Sequence, residues 1–272
     1  MYHDFESHTI TRRSFLKGAG AVGAAGLLVA CGGSSSSTAA SASSASSGAA
    51  ASGKGLSELF TYETSGREIE SWNILYSQQA IDFNVTTNII DGLISFDNYG
   101  KPVPALAKSW EHNEDSTVWT FHLRDDVDWV DMNGEVQDHL TSKDFLVGFE
   151  WVLNAKKNQA ANTSMPSTTV VGAADYYDKT YGMDDAAGEA LTYEDMLAAG
   201  VGIDAPDDYT VVFTCLNPCP YFDTVASYVC CYPAPPALVE KLGVEGFRGV
   251  DYTQQWCCGP YLIEEFVADN SK

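Results

Sequence analysis

The chain of 272 residues lacks a hydrophobic run long enough to cross a bilayer as a helix. Such a helix needs about 20 apolar residues, and the longest small-apolar run here covers only residues 18–30. Basic residues are scarce, with 15 Lys and Arg against 37 Asp and Glu, for a net charge of −22. Beyond Cys31 the balance is 12 against 35, or −23. A domain this acidic cannot hold nucleic acid by neutralising phosphates, which requires clustered Lys and Arg. There are five histidines, at 3, 8, 112, 122 and 139, and none lies in an H-E-x-x-H zinc motif. No G-x-S-x-G nucleophile turn and no C-x2-C thiolate pair is present. The acidic run at 125–135, DDVDWVDMNGE, fails as a calcium loop. With Gly134 at the sixth place, the first ligand position falls on Trp129. These absences argue against catalysis, a metal and a cofactor.

What is present begins with TRRSFLKGAGAVGAAGLLVAC at 11–31. Arg12, Arg13 and Lys17 precede the small-apolar run, which matches the positive end and core of a cleavable export signal. The paired arginines look like a twin-arginine signal, which routes folded proteins outward. A mature helix is the poorer reading, because four glycines in the run each cost about 1 kcal/mol relative to Ala. Leu28-Val29-Ala30-Cys31 resembles a lipobox, in which Cys31 is lipidated and becomes the new N-terminus. Each buried lipid methylene adds about 0.8 kcal/mol of membrane affinity. Residues 32–55 are Ser, Ala and Gly with one Thr and one Lys, too poor in apolar side chains to order themselves. The domains expected are therefore 1–30 signal, 31–55 lipidated Cys and tether, and 56–272 folded body.

The chain is 45% hydrophobic, with 14 Tyr, 12 Phe and 6 Trp, ample for a packed core. Alternation at 118–123 predicts a strand with Trp119, Phe121 and Leu123 on one face. Thr141-Ser142-Lys143-Asp144 reads as a capping box, opening a helix over 142–155. Thr192 to Asp195 repeats the signature, with Gly200 as a stop. The β-branched and aromatic run 209–215 predicts a strand, and Pro236 to Leu242 a short helix closed by Gly243. Strands and helices interleave without a repeat, giving a mixed α/β or α+β fold. Six cysteines follow Cys31, at 215, 219, 230, 231, 257 and 258. In an exported chain an even number invites one or two disulfides, with the partners left open. Buried thiols are the second reading, and a thiolate metal cage the last.

The ordered set Asn88 to Leu93, Pro104 to Trp110 (PALAKSW), Phe121-His122-Leu123-Arg124, Asn133-Gly134, Thr141 to Leu153, Tyr209 to Phe213, Pro218 to Phe222 and Gly259-Pro260-Tyr261 resembles extracellular solute-binding proteins of family 5. These are the peptide-binding components of ATP-binding-cassette importers. The resemblance implies a periplasmic-binding-protein-like, two-lobed type II fold that closes on ligand about a hinge. It implies peptide as ligand, a permease and ATPase as partners, and a monomer, while Cys31 and the tether imply a lipid anchor at the outer face of the cytoplasmic membrane. Such proteins run to about twice this mature length, so the chain is expected to hold the first part of lobe I, incomplete and unable to bind peptide alone. The ligand-facing candidates are Tyr76, Ser77, Gln78 and Gln79, with Tyr221 and Trp256 as aromatic walls. Trp110 and Trp119 read as core, Arg124 as a surface ion pair with Asp125 or Asp126, and Gly92 and Gly134 as chain reversals. The alternatives are a surface lipoprotein acting as sensor or adhesin, or the same family with a nickel chelate, haem or sugar as cargo.

Overall fold

The computed structural model describes residues 68–159 and 164–266. Arg12, Arg13, Cys31 and the tether lie outside the described residues. Helix α1 (Ala80–Ile89) leads into two short strands, β1 (Ile94–Phe96) and β2 (Pro102–Pro104), which pair antiparallel. Strands β3 (Ala107–His112) and β4 (Val118–Leu123) follow, then a second hairpin of β5 (Asp128–Val130) and β6 (Val136–His139). Helices α2 (Ser142–Leu153), α3 (Ser164–Thr169), α4 (Ala173–Tyr181), α5 (Asp185–Glu189) and α6 (Tyr193–Ala198) come next. Strands β7 (Ile203–Asp207) and β8 (Thr210–Thr214) precede α7 (Phe222–Ala226), a 3-10 turn at Val229–Cys231 and α8 (Pro236–Arg248).

The main sheet has the order β3-β4-β8-β7, antiparallel throughout. Strand β4 is central, and its alternation is the expected one: Trp119, Phe121 and Leu123 are buried, and their neighbours are less so. Register places Trp119 opposite Phe213 and Phe121 opposite Val211. Phe213 then meets Phe121 at 6.0 Å, Phe149 of α2 at 5.4 Å and Phe222 of α7 at 5.2 Å between ring centroids. Edge-to-face and tilted pairs at these separations add to the burial term. Sheet, α2 and α7 thus share one aromatic core. Trp110, on the edge strand β3, is only half-buried.

Helix α2 begins at the expected cap. The Thr141 N–H and hydroxyl both donate to Asp144 Oδ2 at 3.0 Å. The helix is buried almost all round, from Phe145 to Leu153 with only Val147 partly exposed, as a helix inside a larger core should be. Its Gly148 lets the chain at 232–234 approach, since a Cβ there would sit 2.3 Å from the Tyr232 carbonyl oxygen. Gly134 has φ +82° and turns the β5–β6 hairpin as expected. Gly92 serves differently. Its place is dictated by contact, because a Cβ would lie 2.3 Å from Tyr232 Cε1. The helix expected to close at Gly243 resumes after it. Gly243 is non-helical (φ 67°, ψ 177°), and α8 continues across this kink to Arg248.

Candidate ligand-binding site

The expected ligand loop is built around one buried carboxylate. Asp82, in the first turn of α1, accepts the Glu70 N–H at 2.9 Å, the Ser71 N–H at 3.1 Å and the Ser77 hydroxyl at 2.5 Å. A carboxylate in the first turn also suits the positive end of the helix. Asn73 fixes the loop from the other side, its side-chain amide donating to the Phe247 carbonyl of α8 at 2.8 Å. Ser77 is therefore buried and bonded to Asp82 and to the Gln79 N–H at 3.0 Å, which corrects its expected exposure to ligand. Gln79 is the N-cap residue of α1, and Gln78 is exposed. Tyr76 turns outward, its hydroxyl donating to Gln159 Oε1 at 3.0 Å.

Gln159 carries a positive φ of 50°, a sparsely populated conformation for a residue with a side chain and one that clusters at binding sites. It lines a cavity of about 260 Å³ together with Ala155, Lys156, Tyr181, Asp185 and Glu189. Each wall is anchored. Lys156 Nζ lies 3.1 Å from Asp185. Arg248, the last residue of α8, reaches Glu189 at 3.2 Å and donates to the carbonyls of Lys157 at 2.9 Å and Lys156 at 2.8 Å.

Beneath this rim Glu150 is almost fully buried and accepts from Lys157 Nζ at 2.7 Å, Asn154 Nδ2 at 2.8 Å and the Tyr176 hydroxyl at 3.0 Å. Burial and the neighbouring Glu150 push the Tyr176 phenol well up, so it stays a donor. A buried charge needs such partners. Sequence reading missed this network and Gln159. The one available signal was Glu150, a lone charge in the otherwise apolar run from Phe145 to Leu153.

The aromatic candidates separate. Tyr221 is exposed and caps the start of α7. Trp256 is 7% exposed and belongs to the core, so it is no ligand wall; an indole gains more from burial than from lining an open loop. No disulfide joins Cys215, Cys219, Cys230, Cys231, Cys257 or Cys258, and all are buried except half-buried Cys258. Burial pushes the Cys215 thiol up to about 12 and the Cys258 thiol well above its usual range, and the Cys230 thiol together with burial does the same for Cys231, so the thiolate forms are disfavoured. Asp128, His139 and Tyr209 form a further chain, with His139 Nδ1 2.8 Å from Asp128 and Nε2 3.2 Å from the Tyr209 hydroxyl. It ties the β5–β6 hairpin to the start of β8. Among the described residues no three His, Cys, Asp or Glu side chains group as metal ligands, and no helix is long and apolar enough to cross a membrane.

Known proteins place these features. The middle region of the bacterial extracellular solute-binding proteins, family 5, matches residues 101–271, and a twin-arginine signal sequence matches residues 9–29. The oligopeptide-binding protein SarA of Streptococcus gordonii is 28% identical over 202 residues, which cover 74% of this chain and 28% of the relative. The periplasmic oligopeptide-binding protein OppA of Escherichia coli is 28% identical over 205 residues, or 75% of this chain and 33% of the relative. The chain thus spans about a third of the length of the curated relatives it matches. Among solved structures, Haemophilus influenzae OppA in complex with RPPGFSPFR superposes with a TM-score of 0.61 at 29% identity. That superposition covers 74% of this chain and 35% of that one. The pheromone receptor PrgZ shares the fold at a TM-score of 0.61 and 17% identity, over 75% of this chain and 36% of that one. The mixed α/β fold is that of OppA-type binding proteins, the N-terminal segment is an export signal, and the chain belongs to the bacterial extracellular solute-binding proteins, family 5.

Proposed function

We propose that the protein captures oligopeptides outside the cell and delivers them to the permease and ATPase of an importer, without covalent chemistry. The observation that carries this reading is the polar rim of Lys156, Gln159, Asp185 and Glu189 around a cavity of about 260 Å³, with Tyr76 hydrogen-bonded to Gln159. A peptide backbone presents N–H and C=O groups that such side chains can bind. The relatives named for oligopeptide binding and the peptide complex of the Haemophilus influenzae protein support the same cargo.

In this reading Tyr76, Gln78, Gln79 and Gln159 face the ligand, and Tyr221 offers an aromatic wall at a second place. The described residues supply part of one lobe, and the protein works as a monomer. Residues 1–30 are removed, Cys31 is lipidated, and 31–55 hold the body off the outer face of the cytoplasmic membrane. The lipobox-like Leu28 to Cys31 supports the anchor.

The test is calorimetry of the gene product, retaining any reading frame downstream of Lys272, against mixed oligopeptides. Tyr76→Phe with Gln159→Ala is expected to weaken binding about tenfold, the value of one or two hydrogen bonds to a ligand. A protein that ignores peptides and binds haem, a nickel chelate or a sugar would overturn the cargo.

A further inference from the structure

We propose that Cys215 and Cys219 close into a disulfide once the chain has been exported, fixing the loop that carries Tyr221. Three observations bring these two residues together. The Cys215 N–H donates to the Thr117 carbonyl at 2.7 Å and the Cys219 N–H to the Ser116 carbonyl at 2.9 Å. Both cysteines therefore hang from consecutive carbonyls of one turn. That turn is held in place by Asn113, whose Oδ1 accepts the Thr117 and Val118 N–H groups at 2.9 Å each. Second, both side chains point inward, at 4% exposure each, while Leu216, Asn217, Pro218, Pro220 and Tyr221 around them are exposed. Third, the Cys219 thiol lies close enough to Cys215 to push its pKa up beyond the effect of burial.

The other cysteines are arranged differently. Cys230 and Cys231 are neighbours in one 3-10 turn with sulfurs 4.0 Å apart, and a bond between adjacent residues must close a ring through a single trans peptide, which strains it. Cys257 and Cys258 diverge. The Cys257 thiol donates to Met132 Sδ at 4.0 Å, and Cys258 lies beside Asp91. Among the described cysteines, Cys215 and Cys219 combine neighbouring buried thiols with three residues of chain between them.

The reaction is thiol–disulfide exchange with a small disulfide of the extracytoplasmic space, such as oxidised glutathione. Opening of the exposed loop frees one thiol, which loses its proton and attacks the oxidant's sulfur, breaking its S–S bond and releasing one thiol. The second cysteine, also deprotonated, displaces the remaining half of the oxidant from the mixed disulfide. One S–S bond forms between Cys215 and Cys219, and both electrons end on the two thiols released. The export signal supplies the oxidising surroundings.

The test incubates the purified 272-residue chain with oxidised glutathione, blocks remaining thiols under denaturing conditions without reductant, and digests with chymotrypsin. Cleavage after Leu216 separates Cys215 from Cys219, so a cross-link between them holds two peptides together. The expected result is that joined pair, with alkylated thiols at Cys230, Cys231, Cys257 and Cys258. Oxidation should also raise the melting temperature by roughly 5 °C, as a short closed loop implies, and Cys219→Ser should abolish the rise while Cys230→Ser retains it. Alkylated Cys215 and Cys219 on separate peptides, or a cross-link from either to Cys230 or Cys231, would overturn the proposal.

Discussion

Removing the carboxylate of Asp144 should cost stability in a way that depends on both Trp129 and pH. Asp144 does two jobs. It closes the capping box of α2, and its Oδ1 accepts the Trp129 indole N–H at 2.6 Å. Trp129 is fully buried, so Asp144→Ala leaves a donor with no water to turn to. Loss of the cap is worth about 1 kcal/mol, and an orphaned buried donor about 1–3 kcal/mol, so the variant should lose roughly 3 kcal/mol at pH 5. Trp129→Phe removes the donor, and the double variant should then fall short of the summed losses by about 1–2 kcal/mol, since the orphan is created only once.

The pH arm has a defined sign. Burial outweighs the hydrogen bonds from Thr141 and Trp129 and pushes the Asp144 carboxyl up to about 6. A folded-state value above the unfolded one favours the protonated form in the fold. The contribution is therefore fully present below about pH 4 and is lost as pH rises through 6. Between pH 5 and 7.5 the wild type should lose roughly 1.5 kcal/mol that Asp144→Ala does not, so the penalty of the substitution shrinks by that amount. Urea unfolding followed by far-ultraviolet circular dichroism at the two pH values measures both effects. A strictly additive double variant, or a penalty that grows with pH, would refute the account.

Gly148→Ala should destabilise by about 3 kcal/mol, the upper end for overpacking, because its Cβ meets the backbone at Tyr232 and Ala234 and not a yielding side chain. Gly200→Ala, with φ +83° and open space around it, should lose only about 1–2 kcal/mol; comparable melting temperatures for the two would sink the contact argument. Labelled palmitate fed to expressing cells should enter the mature protein, and Cys31→Ala should abolish the label; a labelled variant would end the anchor reading.

Sequence revealed the elements whose signals are local. The Thr141 to Asp144 cap gave α2, and the alternation of Trp119, Phe121 and Leu123 gave β4, because both patterns are imposed by one turn or one pleat. What depended on distant partners was hidden. Gly92 looked like a chain reversal because nothing near it betrays the Tyr232 ring that fills the place of its missing Cβ. Ser77 looked like a polar loop residue, yet Asp82 claims it. Trp256 offered no local pattern to distinguish a wall from core. Tyr76 was legible in the loop, whereas its partner Gln159 sits in a backbone conformation that leaves no mark in composition.

The order β3-β4-β8-β7 has a consequence for biosynthesis. Strand β4 finds one neighbour at once in the hairpin with β3, but its other flank is completed only by β8, after five helices and three strands have been made. At roughly 5–20 residues per second, the ribosome leaves that hydrogen-bonding edge bare for several seconds. A nascent chain in that interval presents Trp119 and Phe121 without their eventual cover, in the cytoplasm where a twin-arginine passenger must mature. Translation through Thr214 thus sets the earliest moment at which this region is fit for the translocase, and slowing the ribosome between β4 and β8 should send more of the product to proteolysis than slowing it afterwards.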